Sequence, residues 1–220
     1  MKLETGGLLK VFPSPIFSGG RPFFALKTGA FSAGPGITRV EGPNGAGKTT
    51  LLKVLAGVLE ADGGRISLDG LAADAEALRA AAAFCPANPR SFYFRLSALE
   101  NLRFFGALAG LDAGTALARG RELGARLGLP AADLEKRFDR LSEGGMQKVN
   151  LLRALSRRAP LLLLDEPYRG LDAAASAELT ALLTGASAGV TVLIAGHALP
   201  QLPGAAALRL EAGELKGTAA

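Results

Sequence analysis

The spacing of apolar positions changes twice along the chain, and these changes divide it into three predicted regions. From residue 1 to about residue 83, short β-like runs stand between Gly- and Pro-rich turns, with one helix-like stretch at residues 49–59. From about residue 84 to residue 155 the spacing becomes helical. From residue 156 to residue 220, short apolar runs return. The pattern predicts an α/β protein with a mostly α-helical insertion.

Two apolar runs in the last region predict strands that are buried on both faces. Residues 161–164 are four leucines, and residues 190–194 are rich in β-branched side chains. Central strands of a parallel sheet have this composition because helices cover both faces. In the middle region we predict helices at residues 99–105, 116–127 and 147–155, and the Ala-rich residues 71–83 also predict an ordinary helix.

Length and composition fit one substantial globular domain and exclude a disordered or collagen-like chain, because 49% of the 220 residues are hydrophobic and 20% are charged. The single cysteine, Cys85, cannot form an internal disulfide, and no basic-then-apolar leader is present. We therefore expect a reducing, cytosolic location. The best apolar stretch, residues 181–195, is interrupted by threonine, serine and glycine, so no membrane span is expected.

The charge balance does not choose between partners. The 25 Lys and Arg residues against 20 Asp and Glu residues give a formal net charge of +5, which suits nucleic acid, an anionic membrane surface or a phosphate-bearing ligand. An ordinary solvated basic surface explains the charge equally well. Because there is no run of five like charges and no interleaved aromatic pattern, we expect no nucleic-acid partner.

Residues 42–49 match the phosphate-binding pattern G-x-x-x-x-G-K-[ST], between a strand-like stretch at residues 37–41 and a helix-like stretch. Glycines let successive N–H groups turn towards phosphate oxygens, and the helix start adds partial positive charge. The alternative is a Gly-rich turn that happens to end in Lys-Thr. We predict that Lys48 contacts the β- and γ-phosphates, that the Thr49 hydroxyl binds Mg²⁺ and that Thr50 contacts the α-phosphate. The predicted phosphate-binding residues are Gly42, Pro43, Asn44, Gly45, Ala46, Gly47, Lys48, Thr49 and Thr50.

Two neighbouring carboxylates, Asp165 and Glu166, follow the leucine run. In open parallel sheets, ligands bind at this end of the strands. Asp165 suits Mg²⁺, through a water molecule, and Glu166 suits the orientation or deprotonation of an attacking water. Because neighbouring carboxylates repel, a bound cation would be needed to keep both ionised. The alternative is a solvated pair at the end of a strand with no role in chemistry.

These features together resemble the ATP-binding subunits of ABC transporters, and the likeness extends over essentially the whole chain. Residues 141–149, LSEGGMQKV, are similar to the family signature LSGGQ and its helix; residues 167–172 are like the family's D-loop, and His197 is like its switch histidine. The resemblance implies a P-loop NTPase (RecA-like) core with an antiparallel β-subdomain, about residues 1–83 and 156–220. It also implies an inserted helical subdomain at about residues 84–155. ATP and Mg²⁺ are the implied cofactors, with Glu166 and His197 as catalytic residues.

The signature residues also predict an anion site without the resemblance. Ser142 is a good N-cap for the following helix, so the free N–H groups of Ser142, Glu143 and Gly144 can face an anion. In the family this site binds the γ-phosphate held by a second copy, which implies a head-to-tail homodimer or heterodimer with two ATP molecules. The residues implied to contact the partner's ATP are Ser142, Glu143, Gly144, Gly145 and Asp172, the last at the partner's phosphate loop.

Three departures from the family pattern change the expectations. Gly145 replaces the usual signature glutamine, and Glu143 stands where glycine is commoner. Glu143 suits the helix dipole but adds negative charge near a phosphate, so we predict reduced ATP affinity across the dimer. The Q-loop glutamine should fall near residues 86–89, where none is present. Either Asn88, the nearest amide, replaces it as a Mg²⁺ ligand or the metal uses water.

Aromatic side chains leave two choices open. An aromatic residue upstream of the first core strand is expected to stack on adenine; Phe12 is the prediction, and Phe17, Phe23 and Phe24 are the alternatives. A second group forms either a socket for a coupling helix of the permease, with Arg90 and Arg95 at its rim, or the core of the helical lobe. Its members are Phe92, Tyr93, Phe94 and Phe104.

The resemblance predicts the ATP-hydrolysing subunit of a transporter, peripheral on the inner face of the cell membrane. This subunit would power transport, in the export direction, through a separate integral membrane permease. The segment around residues 90–105 looks like exporter-type subunits, and the haem-exporter ATPases are one candidate class. An alternative is a soluble ATPase of the same superfamily that acts on the ribosome or DNA without a permease. A P-loop small-molecule kinase is a third option, although it would not need residues 141–149 or His197.

Overall fold

The computed structural model describes residues 1–13, 22–197 and 199–219, which form two sheets and the helices around them. The strands are β1 Leu3–Phe12, β2 Phe23–Lys27, β3 Phe31–Ala33, β4 Gly36–Glu41, β5 Gly63–Leu68, β6 Leu71–Ala72, β7 Ala82–Cys85, β8 Leu161–Asp165, β9 Thr191–Ala195, β10 Ala206–Glu211 and β11 Glu214–Ala219. The α-helices are α1 Lys48–Leu55, α2 Ala75–Ala81, α3 Ala98–Leu108, α4 Ala113–Arg126, α5 Ala131–Leu134, α6 Glu143–Ser156 and α7 Ala173–Ala186, with one 3-10 helix at Phe138–Arg140.

The central sheet has six strands in the order β11-β10-β4-β9-β8-β7. The five strands from β10 to β7 are parallel, and β11 pairs antiparallel with β10. Every residue of β8 and β9 is buried, because helices pack on both faces. The two-sided apolar runs thus form the predicted central strands, and the α/β prediction is confirmed.

The second sheet is antiparallel, with β2-β1-β5-β6 in order and β3 also paired to β1. Its buried side chains share a hydrophobic cluster with α1, to which Leu3, Leu26, Leu51 and Leu55 belong. Burial of these leucines fixes α1 between the two sheets, each contributing about 1.5–3 kcal/mol relative to exposure. The phosphate-binding pattern therefore lies where the second sheet meets the central one.

Four of the helices, α3 to α6, follow one another between β7 and β8. They pack around a second hydrophobic cluster that includes Phe92, Leu102, Leu127, Phe138 and Leu152. These helices occupy residues 98–156, close to the predicted helical region at residues 84–155. The division of the chain into subdomains stays a prediction.

The Ala-rich residues 71–83 do not form one helix, so that prediction is wrong. They begin in β6, form α2 only from Ala75 to Ala81 and end in β7. Asp74 sets the helix start because its carboxylate accepts a hydrogen bond of 2.8 Å from the Ala77 N–H. Ala82 and Ala83 leave the helix because they pair in parallel with Leu161 and Leu162 of β8. Sheet pairing thus overrides the helix propensity of alanine.

Two further helix boundaries differ from the prediction. The helix expected at residues 49–59 ends at Leu55. The helix expected from residue 147 begins at Glu143, directly after Ser142, whose hydroxyl accepts a hydrogen bond of 3.1 Å from the Gly145 N–H. In the parts of the chain that the structure describes, no helix has the length and apolar character needed to cross a membrane.

Candidate functional site

The phosphate loop connects the end of β4 to the first residue of α1. Its conformation requires glycine at Gly42, with φ 150°, and at Gly47, with φ 101°. A Cβ at Gly47 would collide with the Ala25 carbonyl oxygen of the second sheet. The loop is therefore held by close backbone packing, with its N–H groups at the start of α1.

Lys48 is buried and folds back over the loop that precedes it. Its ammonium donates hydrogen bonds of 2.7 Å to the Gly42 carbonyl and 3.0 Å to the Pro43 carbonyl. Both acceptors are uncharged, so these bonds do not neutralise the positive charge. The cation is thus held at the loop, where it can attract a phosphate group.

Thr49 and Asp165 connect the loop to the end of β8. The Thr49 hydroxyl donates a hydrogen bond of 2.8 Å to the Asp165 carboxylate, which is only 2% exposed. Burial raises the pKa of Asp165, and the bond from Thr49 opposes this shift. A bound cation would favour the ionised carboxylate, so this pair of oxygen ligands fits a divalent metal.

The metal chemistry that this pair suits is that of Mg²⁺. Within the described residues there is no cluster of three or more His, Cys, Asp or Glu side chains. Mg²⁺ typically takes only one or two protein ligands and completes its shell with phosphate and water oxygens. One hydroxyl and one carboxylate beside a phosphate loop match that mode of binding.

Glu166 has an unusual backbone conformation for a non-glycine residue, with φ 49°. Its N–H donates a hydrogen bond of 2.8 Å to the Ala195 carbonyl at the end of β9, which holds the backbone there. Such left-handed positions cost about 1–3 kcal/mol and cluster at functional sites. The Glu166 carboxylate accepts a hydrogen bond of 3.4 Å from the His197 N–H, and the His197 Nε2 lies 3.9 Å from its other oxygen.

These residues line one pocket of about 250 Å³. It brings most of the predicted site together: the loop, both carboxylates and the histidine. Its lining residues are Phe23, Ala25, Asn44, Gly45, Ala46, Gly47, Lys48, Thr49, Thr50, Asp165, Glu166 and His197. Gly42 and Pro43 contribute their carbonyl groups to Lys48 rather than to the lining.

Of the aromatic candidates, Phe23 lies at this pocket and Phe12 does not line it. Phe12 pairs with Phe23 across β1 and β2, is 39% exposed and lies beneath the Lys10 ammonium at 5.7 Å. Phe24 is exposed and also absent from the lining, and Phe17 lies outside the described residues. The adenine-stacking prediction at Phe12 stays a prediction, and Phe23 is the better-placed alternative.

Asn88 is not brought to Thr49 and Asp165. It is exposed and lines a separate pocket of about 120 Å³ that also includes Gln147 and Arg169. The Ala87 backbone N–H, in contrast, lies close enough to the Asp165 carboxylate to lower its pKa. The structure thus places a backbone N–H, not the Asn88 amide, beside the predicted metal ligand.

The signature residues form a second pocket of about 340 Å³. Ser142, Gly144 and Gly145 line it together with Lys148, Gly170 and Asp172, and so do Gly128, Leu129, Pro130 and Asp133. The Ser142 hydroxyl caps α6, which leaves the N–H groups of Glu143 and Gly144 at the helix start for an anion. This pocket shares no lining residue with the phosphate-loop pocket.

Glu143 and Asp172 have partners within the chain. The Glu143 carboxylate lines the small pocket beside Asn88, where Arg169 donates to it at 2.9 Å. Asp172 caps α7 by accepting from the Ala175 N–H at 2.8 Å and pairs with Lys148 at 3.1 Å. The hydrogen bond from the Ala175 N–H is the main cause that lowers the pKa of Asp172, and the bond from Lys148 is the second. A contact of Asp172 with a partner chain stays a prediction.

A polar row on α6, buried at Gln147 and Asn150, was not predicted from the sequence. The Gln147 amide donates to the carbonyls of Glu166 at 3.3 Å and Pro167 at 3.2 Å, and Asn150 donates to the Pro86 carbonyl at 2.8 Å. Arg153 donates to Asn150 at 3.0 Å. These three side chains have the spacing i, i+3, i+6, which puts them on one helix face. Polar residues at that spacing in an apolar helix were the available signal.

The aromatic group around residues 92–104 divides between core and surface. Phe92 is buried and stacks on Phe138 with ring centroids 4.5 Å apart, as expected for core. Tyr93, Phe94 and Phe104 are 50%, 44% and 38% exposed, as expected for a docking surface. The core interpretation therefore describes Phe92, and a socket formed by the three exposed rings stays a prediction.

Comparison with known proteins gives a consistent family. A family model described as ABC transporter matches residues 31–169. The Fe(3+) ions import ATP-binding protein FbpC 2 of Rhodococcus jostii is 34% identical over 80% of this chain and 51% of its own length. The cytochrome c biogenesis ATP-binding export protein CcmA of Paramagnetospirillum magneticum is 38% identical over 88% of this chain and 89% of its own length. The chain thus spans about half the length of the import relative.

Solved structures show the same fold. A dimeric ATP-binding cassette in a post-hydrolysis state with ADP and Pi has a TM-score of 0.85 at 21% identity, covering 99% of this chain and 97% of that one. An ATP-binding subunit of an ABC transporter has a TM-score of 0.82 at 25% identity, covering 100% and 90%. The predicted P-loop NTPase fold is therefore confirmed.

Proposed function

The chain belongs to the ABC transporter family, and from this premise we propose that it binds and hydrolyses ATP to power transport through a separate membrane permease. The observation that carries the proposal is the pocket in which the phosphate loop meets Asp165, Glu166 and His197. That pocket joins a cation, a pair of metal-binding oxygens and a carboxylate base, which are the parts that phosphoryl transfer to water requires.

We assign each part of the pocket one role. Lys48 and the N–H groups at the start of α1 bind the phosphates, and Thr49 and Asp165 hold Mg²⁺. When bound, Mg²⁺ neutralises phosphate charge. Glu166 orients and deprotonates the attacking water, since its carboxylate reaches into the pocket from the constrained end of β8. His197 lies beside Glu166 and contacts the γ-phosphate.

The signature pocket supports a head-to-tail dimer. A single chain has one phosphate-loop pocket and one signature pocket, and these share no lining residue. Two chains in opposite directions would place each signature helix start against the ATP of the other chain. A cassette of the same fold is dimeric in a post-hydrolysis state with ADP and Pi, which supports dimerisation of this chain.

We propose that the permease docks beside α3, at the exposed aromatic side chains Tyr93, Phe94 and Phe104. A groove of about 590 Å³ lies beside them, lined by Phe105 and Leu108 of α3 and by residues of α6, and every charged residue that the structure shows in its lining is basic. These cations are Lys53, Arg79, Arg90, Arg153 and Arg157. Such a surface fits a helix with apolar and acidic side chains, and it would make the chain peripheral to the membrane. The helices at residues 98–156 act as the helical subdomain.

We also propose export as the direction of transport. The CcmA export relative named above is matched at higher identity, and over more of its own length, than the import relative. Haem-related export is therefore one candidate class of cargo.

Steady-state hydrolysis of Mg-ATP by the purified chain and by Glu166→Gln tests the proposal. We expect the variant to bind ATP and to lose hydrolysis by about 100-fold or more, because the amide cannot accept the proton of water. Glu122→Gln, an exposed change on α4, is the matched control. Normal turnover in Glu166→Gln would move the catalytic role elsewhere.

A further inference from the structure

We propose that Arg169 is a positioning residue that holds the Glu143 carboxylate away from the signature pocket, so that this pocket accepts the phosphate of a partner chain. The inference rests on the proposed function, since it concerns the helix start that would bind the partner's ATP. It assigns a role to Arg169 and explains how a signature that contains Glu143 can accept a phosphate.

Glu143 presents an electrostatic problem. It is the first residue of α6, and its own N–H and that of Gly144 belong to the anion site at the helix start. A free carboxylate at that position would repel an incoming phosphate. In a closed interface, little water and salt lies between these two negative groups to screen their repulsion. A signature that contains Glu143 therefore needs a contact that neutralises the carboxylate or turns it away from the anion site.

The structure shows such a contact. The Arg169 guanidinium donates to the Glu143 carboxylate at 2.9 Å, and both line the small pocket with Asn88, Met146 and Gln147. Glu143 is absent from the lining of the signature pocket, whereas its neighbours Ser142 and Gly144 line that pocket. The ion pair thus places the carboxylate on the side of the helix start that faces away from the anion site.

The backbone fixes Arg169 in this place. Gly170 has φ 72°, and a Cβ on Gly144 would lie 2.7 Å from the Gly170 carbonyl oxygen. The loop after β8 therefore packs directly against the first turn of α6. Because Gln147 also holds the carbonyls of Glu166 and Pro167, the loop that carries Arg169 is tied to the signature helix on both sides.

The test is the ATP concentration that gives half-maximal dimer, measured by light scattering with Mg-ATP. Every variant is made in the Glu166→Gln chain, so that hydrolysis does not disperse the dimer. We expect Arg169→Gln to raise this concentration about 10-fold, because Glu143 is then free to turn towards the phosphate. We expect Arg169→Lys to retain most of the dimerisation, and Glu143→Gln/Arg169→Gln to return to within about twofold of the parent.

Three further measurements distinguish an electrostatic effect of Arg169→Gln from a structural one. In about 0.5 M salt the effect of Arg169→Gln should shrink, because screening weakens the repulsion. Binding of ATP by the monomer should stay the same in Arg169→Gln. Arg121→Gln and Glu135→Gln, which remove an exposed ion pair of 3.0 Å elsewhere, are the matched controls and should not change dimerisation.

Two results would overturn the inference. If Arg169→Gln dimerises like the parent, the pair has no role at the interface. If Glu143→Gln, Arg169→Gln and the double variant all fail equally, the pair only braces the loop. Failure of the Glu166→Gln parent itself to dimerise at any ATP concentration would overturn the dimer of the proposed function, and this inference with it.

Discussion

At the phosphate loop, polar side chains from α1 and β8 already contact one another, whereas at the start of α6 they contact the helix itself and neighbouring loops. Thr49 of α1 donates to Asp165 at the end of β8, and Lys48 lies folded over the loop. Ser142 caps its own helix, and Glu143 is paired with Arg169. The comparison teaches that one half of the site is assembled within a single chain, while the other half presents N–H groups that a second chain must use.

The largest expected effect comes from removing the cation of the phosphate-loop pocket. Lys48→Ala should reduce ATP affinity about 100-fold, equivalent to about 2.7 kcal/mol, because the phosphates lose their fixed cation. Equilibrium binding of a fluorescent ATP analogue measures this effect. Lys136→Ala is the control, because Lys136 pairs with Asp133 and both lie far from the loop in sequence. Unchanged affinity in Lys48→Ala would refute the assignment of residues 42–49.

The second prediction concerns the half that needs a partner. Ser142→Ala should leave ATP binding by the monomer intact and reduce hydrolysis at least about 10-fold, since the signature would hold the partner's phosphate less well. Loss of the cap should also lower the free energy of unfolding by about 1 kcal/mol. Binding, steady-state turnover and denaturant unfolding measure the three quantities. A parallel loss of monomer binding would show that the two halves are not separate.

The third prediction concerns the connection between the halves. Gln147→Leu removes the side-chain donor from the Pro167 carbonyl and leaves the Glu166 carbonyl with the Arg169 N–H alone, which costs about 1–3 kcal/mol of stability. We expect kcat to fall about 10-fold, with little change in KM, because Glu166 loses its fixed position. Gln201→Leu, at an exposed position, is the control for the change of residue type. Loss of stability with full kcat would show that Gln147 only braces the fold.

The smallest expected effect concerns Phe23, which lines the phosphate-loop pocket. Phe23→Ala should weaken ATP binding by about 1 kcal/mol or more if its ring stacks on adenine. Phe12→Ala, on the neighbouring strand, should have the smaller effect of the two, because Phe12 does not line the pocket. Tripolyphosphate, which has no base, should bind both variants equally. A larger loss in Phe12→Ala would restore the original prediction.

Features with a contiguous pattern could be predicted from the sequence. The loop at residues 42–49 and the run that ends in Asp165 and Glu166 depend on neighbours along the chain, and both lie where the pattern placed them. Ser142 as an N-cap is equally local. Helix starts, phosphate loops and two-sided strands are thus readable because one short segment contains the whole signal.

Features that depend on distant partners could not be predicted in the same way. Ala82 and Ala83 look helical until β8 pairs with them, and Gln147 looks like an ordinary helix residue until the loop after β8 reaches it. Phe12 and Phe23 are opposite each other across two strands, so local sequence does not say which ring lines the pocket. Each of these choices is made by tertiary packing.

The central claim is that one chain supplies two unlike halves of an ATP site. Light scattering of purified Glu166→Gln, with and without Mg-ATP, tests this claim most directly. We expect a monomer without nucleotide and a dimer with Mg-ATP, and Ser142→Ala in the same chain should reduce the dimer. A protein that binds ATP with full affinity and stays monomeric would contradict an ATP site shared between two chains.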